Sequence, residues 1–166
     1  MPKDPDFIFV RDKNKKIITI YGSYFPLKVK EKLIIVREYL KKYGFINTKL
    51  VSDYPNNFFE TDYNENNREL KRSEFCIKKS DLNIFIYFFD GTHSGVQYEL
   101  DYIIHKGKTN YLIFVEEQIV EKKKIYAFST LIEQKLTMIG RRFIPFSNNN
   151  GFLKDIVYQR VIDFFT

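Results

Sequence analysis

Asp90, His93, Ser94, Gln97, Tyr98 and Glu99 crowd into one stretch, "FDGTHSGVQYELDY" (89–102). A carboxyl, an imidazole and a phenol so close together suit acid–base or nucleophilic work on a ligand. The stretch follows "LNIFIYFF" (82–89), apolar at every position but Asn83, so a buried strand ends here and a helix opens. Glu99 has two readings. It is either a carboxylate that does chemistry or an acid near a helix N-terminus, where the dipole favours it by a few tenths to about 1 kcal/mol. His93 is a proton donor to a leaving group, a phosphate partner, or a solvated loop histidine. Asp90 is a carboxylate facing a ligand or makes an ordinary Asp-Gly turn. Ser94 and Gln97 have capping-box spacing, with His93 and Tyr98 at the staple positions. Ser94, Gly95 and Tyr98 are also candidates for touching substrate.

A second stretch, "YGSYFPLK" (21–28), ends another apolar run and leads to Pro26, which suits the first turn of a helix. Free amides at such a helix start attract anions. Gly22, Ser23 and Lys28 could therefore hold a phosphate, with Tyr21 beside them. Neither a GxGxxG nor a P-loop motif is present.

The elements that must position these residues follow from spacing. "FIFV" (7–10), "RDKNKK" and "IITIYG" (17–22) read as strand, turn and strand. From Leu27 to Tyr43, Val29, Leu33, Val36 and Leu40 recur at helical steps, and Gly44 is a stop. "FINTKLVS" (45–52) is a strand. Asp62 and Glu65 have capping spacing for a helix running to about Lys79. The run 82–89 is apolar on both faces, as a central parallel strand should be. A helix over 95–106 follows, with Val96, Leu100, Ile103 and Ile104 inward. Then come a strand (109–117), a helix (127–140) and an edge strand (141–147) containing Pro145. A last helix (151–165) places Leu153, Ile156, Val157, Val161 and Phe164 on one face. Strands alternating with helices predict one α/β domain over residues 1–166. Its expected core is a flavodoxin-like or Rossmann-like doubly wound parallel sheet of about five strands in the order 2-1-3-4-5, with 7–10 as an extra N-terminal strand. In that order ligands bind beyond strands 1 and 3, between loops 22–26 and 90–95.

Composition narrows the function classes. The formal charge of +6 favours anionic ligands, but the lysines are scattered and no interleaved basic–aromatic motif is visible, so nucleic acid is not expected as a partner. The single Cys76 excludes an internal disulfide and a multi-cysteine zinc site. Neither metal nor cofactor is expected. The longest apolar run is far short of a membrane span, and "MPKDPDFIF" has no signal-peptide character. A cytoplasmic protein without a membrane partner is the expectation.

"SDLNIFIYFFDGTHSGVQYELDYIIHKGKTNYLIFV" (80–115) resembles the central block of the nucleoside 2-deoxyribosyltransferase family and its nucleotide N-glycosidase relatives. Ser80-Asp81 stands where the family opens its strand. Gly95-Val96-Gln97-Tyr98-Glu99-Leu100 matches the hydrolase branch, and "YGSYF" (21–25) resembles the family's first strand end. The resemblance covers roughly residues 17–116. It implies a Glu99 nucleophile that attacks the anomeric carbon of a nucleoside or nucleotide, with Tyr21, Ser23, Asp90 and His93 around the sugar. It also implies assembly as a homodimer or larger homo-oligomer. The chain departs from the family at several positions: His93 stands where an Asp or Ser is usual, Ser73 where a carboxylate is usual, and Thr19 where the first-strand Tyr falls. Asp101 and Tyr102 replace a Gly-Tyr or Gly-Arg pair. A looser resemblance is to Toll/interleukin-receptor (TIR) domains, some of which cleave NAD, which makes an NAD-like ligand an alternative. A non-catalytic nucleotide-binding or sensor module is the other alternative.

Overall fold

The computed structural model describes residues 10–55, 68–147 and 151–166. Within them the strands are β1 (Ile18–Tyr21), β2 (Thr48–Leu50), β3 (Leu82–Tyr87), β4 (Tyr111–Val120), β5 (Lys123–Tyr126) and β6 (Ile144–Phe146). The helices are α1 (Leu27–Lys42), α2 (Arg68–Lys79), α3 (Ser94–His105), α4 (Thr130–Met138) and α5 (Leu153–Phe165). The parallel core runs β2-β1-β3-β4, with β6 pairing parallel to β4 and β5 antiparallel to β4's far end. This is the expected 2-1-3-4-5 order, with β6 as its fifth parallel strand.

Alternation along the strands divides the interior in two. On one side Ile18 and Ile20 of β1, and Leu82, Ile84 and Ile86 of β3, meet Val29, Leu33, Val36 and Leu40 of α1 and Val157 and Val161 of α5. On the other side Tyr21, Phe85 and Tyr87 meet Cys76 and Ile77 of α2, Val96, Leu100 and Ile103 of α3, and Ile132 and Leu136 of α4. Each fully buried Leu or Ile contributes roughly 1.5–3 kcal/mol. The α1 stripe is buried at the four positions its spacing predicts. No helix among the described residues is long and apolar enough to cross a membrane.

Several expectations need correction. β1 is paired with β2 on one side and with β3 on the other. No edge remains for a hairpin with 7–10. Residues 7–9 lie outside the described residues, as do Asp62 and Glu65, while Val10 packs in the α1/α5 cluster. β5 was not expected. Its hairpin turns at Glu121 and Lys122, with φ of 50° and 64°, where Asn-Gly would normally signal such a turn. The preceding segment therefore read only as charged surface. α4 is correspondingly shorter than 127–140. On α5 the inward face is Val157, Tyr158, Val161 and Ile162, and Phe164 is exposed.

Gly22, at the end of β1, is a packing requirement. A Cβ there would lie 2.9 Å from both Leu33 methyls and 3.2 Å from the Ile86 carbonyl. Both neighbours are fully buried, so neither can give way freely. Gly22→Ala should destabilise the protein by about 1–3 kcal/mol, read as a lower denaturation midpoint in urea with an unchanged slope.

Candidate functional site around Glu99

The α2/α3 side of the sheet carries unusually polar strand positions. Thr19 and Tyr21 on β1, and Asn83 on β3, point into it and are buried. The Ser80 hydroxyl donates to the Cys76 carbonyl at 2.7 Å. A hydroxyl has one hydrogen, so Thr19 donates to Ser80 across 2.6 Å, and Tyr54 in turn donates to Thr19 across 2.8 Å. Tyr21 donates to Asn83 Oδ1 at 2.8 Å and stacks on Phe85. Asp81 accepts from the Ile17 amide at 2.8 Å. The Ser80-Asp81 pair thus fixes the start of β3 against β1.

Glu99 sits above this layer. The helical repeat of α3 turns Val96, Glu99, Leu100 and Ile103 inward together, and Glu99 is only 8% exposed. The inward set expected from spacing, Val96, Leu100, Ile103 and Ile104, leaves Glu99 out; it belongs to the buried stripe. No ion pair from a described residue closes on its carboxyl. The Ser73 hydroxyl of α2 hydrogen-bonds to it and favours the charged form. Burial dominates and pushes the carboxyl from 4.5 up to about 8. Its charge is felt by the phenols of Tyr21, Tyr24 and Tyr87 and by the Cys76 thiol. All four are raised, chiefly by burial, and Cys76 reaches about 12.

Compared with models of protein families and with curated proteins, the chain matches none. The function therefore has to be argued from the geometry.

The loops after β1 and β3 are stitched together. The Ser23 hydroxyl is 7% exposed. It donates to the Phe25 carbonyl at 2.6 Å and accepts from the Phe25 and Thr92 amides at 3.1 and 2.9 Å. Gly91 must be a glycine here, since a Cβ would lie 2.9 Å from Ser23 Cβ. Lys28 and Asp90 pair across the same gap at 3.2 Å, both exposed. Ser23, Lys28 and Asp90 are thus brought together, but on each other rather than on an open site.

The start of α3 differs from the capping-box expectation. Ser94 is already the first helical residue and His93 holds the cap position, without a side-chain cap bond. Gln97 instead accepts from the Tyr87 hydroxyl at 3.3 Å and donates to Asp101 at 2.9 Å. His93 Nε2 contacts the Phe88 carbonyl at 2.7 Å and its ring meets the edge of Tyr87. Tyr98 forms no staple; its hydroxyl donates to Glu74 of α2 at 2.9 Å. Nothing lies within 4 Å of where a Gly95 Cβ would sit. His93, Ser94, Gln97 and Asp101 line a cavity of about 370 Å³ against Phe128 and Lys135, toward α4. Glu99 is six residues beyond His93, about 120° further round the helix, and faces α2. The structure therefore separates His93 from Glu99.

Sequence reasoning missed Tyr87 and Cys76, which share the buried side of the sheet that Glu99 faces. It also missed Glu116, buried midway along β4, whose Oε1 accepts from the Phe89 amide at 2.9 Å. Among the described residues no cluster of three His, Cys, Asp or Glu could hold a metal ion.

The raised carboxyl makes stability depend on pH. Between about 4.5 and 8 the folded protein keeps a proton that the unfolded chain has released. Stability therefore falls as pH rises through that window, by up to about 1.4 kcal/mol per unit, and levels off above it. Glu99→Gln removes the titration while keeping the shape. The variant should match the wild type near pH 5 to within about 1 kcal/mol and exceed it by on the order of 3–5 kcal/mol at pH 9. Urea denaturation across that pH range checks both the sign and the slope.

Proposed function

We propose that this protein cleaves or transfers at the N-glycosidic bond of a nucleoside or nucleotide, with Glu99 as the nucleophile. The observation that carries the reading is a carboxyl buried on the inward stripe of α3, without an ion-pair partner among the described residues. Structural carboxyls in such places are normally paired. The resemblance to the 2-deoxyribosyltransferase and N-glycosidase family puts its nucleophile at the same residue. In the step, a Glu99 oxygen forms a bond to C1′ as the C1′–N bond breaks, and the base leaves with the electron pair. Water or a second base then resolves the ester, giving a hydrolase or a transferase. Ser73 occupies the position of the family's second carboxylate and supports Glu99 by a hydroxyl alone. The same reading carries a cytoplasmic location and a homodimer or larger assembly.

A second reading is a nucleotide-binding or sensor module without turnover. One observation favours it: Asp90 is paired with Lys28 and His93 faces α4, so neither supports Glu99.

The experiment is release of free base from nucleosides, deoxynucleoside monophosphates and NAD, followed by chromatography. The wild type should release base from at least one class, and Glu99→Ala should slow it about 1,000-fold or more, equal to roughly 4 kcal/mol of barrier. A nucleophile must be ionised, so the wild-type rate should climb with pH up to about 8 and then plateau. Base release that survives Glu99→Ala would remove Glu99 from the mechanism, and saturable binding without release would establish the sensor reading.

A further inference from the structure

The sequence carries no interleaved basic–aromatic motif, but the fold builds one from three separate segments. They are the 3-10 turn Lys13–Lys15 with the adjoining Lys16, the end of α1, and α5. The turn precedes β1 and the end of α1 precedes β2. The surface therefore lies at the amino ends of these strands, away from the loops after β1 and β3. At its centre is the Lys13 ammonium. It donates to the Tyr43 carbonyl at 3.3 Å and to the Tyr158 hydroxyl at 3.2 Å, and it sits 5.4 Å from the Phe45 ring centre. That one group ties the turn to both helices.

Around Lys13 the rings are continuous. Tyr39 and Tyr43 are 4.8 Å apart, Tyr43 and Tyr158 5.4 Å, Phe45 and Phe165 5.9 Å, and Phe165 and Phe164 5.0 Å. Phe45 and Tyr158 are buried and form a floor, whereas Tyr43 and Phe164 are each 38% exposed. Ammonium groups alternate with the rings: Lys154 stands 5.4 Å from the Tyr39 centre, Lys42 5.5 Å from Tyr43 and Lys16 5.3 Å from Phe165. Lys15 is exposed beside them. Asp12 and Asp155 lie on the same surface, 3.8 Å from Lys15 and 3.6 Å from Lys154, and exposed pairs of that kind are weak. Core packing accounts for the floor and for Lys13. It does not account for an outer tier of part-exposed rings framed by lysines.

We infer that this surface binds single-stranded nucleic acid, with phosphates on Lys15, Lys16 and Lys42 and a base stacked on Tyr43. The charge of a phosphate backbone complements the lysines, and unpaired bases offer flat faces to the rings. A duplex hides those faces in its own stack, and a lipid surface has none, so the rings select the single strand. The inference goes beyond the glycosidase reading of Glu99, and neither depends on the other.

Fluorescence anisotropy with labelled oligothymidylate and oligouridylate, each about 15 nucleotides long, tests this and separates DNA from RNA. At least one should bind saturably at about 50 mM salt, and log affinity should fall against log salt with a slope of about −2, as three phosphate contacts require. Lys15→Gln, Lys16→Gln and Lys42→Gln together should weaken binding about tenfold or more and flatten that slope. Tyr43→Leu, shown folded by its melting transition, should weaken it about tenfold with the slope unchanged. Lys122→Gln, Lys123→Gln and Lys124→Gln together remove the same charge from the β4–β5 hairpin and should change affinity by less than about twofold, as should Glu99→Gln. Equal loss from the two triple variants overturns the inference in favour of net charge alone. Binding indifferent to Tyr43→Leu, tighter binding to a duplex of the same length or to phosphatidylserine vesicles, or no binding to either oligonucleotide overturns it as well.

Discussion

A carboxyl pressed between two strands and two helices, with no cation paired to it among the described residues, keeps its proton at neutral pH because the low-polarity surroundings penalise the charge more than the Ser73 hydroxyl relieves it. Much of the α2/α3 side of the sheet follows from that constraint. Tyr21 and Tyr87, which border Glu99, are amphipathic: their rings fill the core while their hydroxyls satisfy Asn83 and Gln97. The deeper polar atoms are paired among themselves along the chain from Tyr54 through Thr19 and Ser80 to the Cys76 carbonyl. Polarity is thus admitted on this side and satisfied residue by residue up to Glu99, where close pairing stops. The opposite side, beneath α1 and α5, is filled by aliphatic and aromatic side chains and supplies stabilisation that offsets the unpaired group.

The two loops over the carboxyl ends of β1 and β3 are a single unit. Ser23 bonds both, Gly91 allows their close approach, and the Thr92 amide also reaches the Phe25 carbonyl at 3.4 Å. The Lys28–Asp90 pair adds little by itself because both partners are exposed. Rigidity here comes from the buried Ser23 hydroxyl. It fixes the position of β3's end and hence of α3, which carries Glu99 inward on one face and lines the α4 cavity with the other.

Much of this was legible in the sequence, and the failures have physical causes. The α1 stripe was clear because Val29, Leu33, Val36 and Leu40 are separated by lysines. The doubly wound order was clear because strands alternate with helices along the chain, and the largely apolar run 82–89 marks a central parallel strand. The β4–β5 hairpin was hidden because Glu121 and Lys122 adopt left-handed conformations without the usual Asn or Gly. Glu99's importance was visible in its residue type and context, but its depth was not. Its helical phase placed it at the margin of the stripe, and burial of a margin position depends on how closely α2 packs beside α3. The capping box failed for a one-residue reason: His93, not Ser94, holds the cap position, so Ser94 cannot reach back to cap its own helix.

Among the described residues, no positive charge is among the groups that set the ionisation of Glu99. Lys13 is spent on the Tyr43 carbonyl, the Tyr158 hydroxyl and the Phe45 ring. Lys122, Lys123 and Lys124 project from the exposed hairpin, and Arg37 is held by Glu38 and Asp53. Exposed charges at such distances are screened by water and salt over about 8–10 Å, whereas desolvation acts on Glu99 directly. A net charge of +6 can therefore coexist with a buried acid that stays neutral. What ionises that acid at neutral pH has to come within a few ångströms of it.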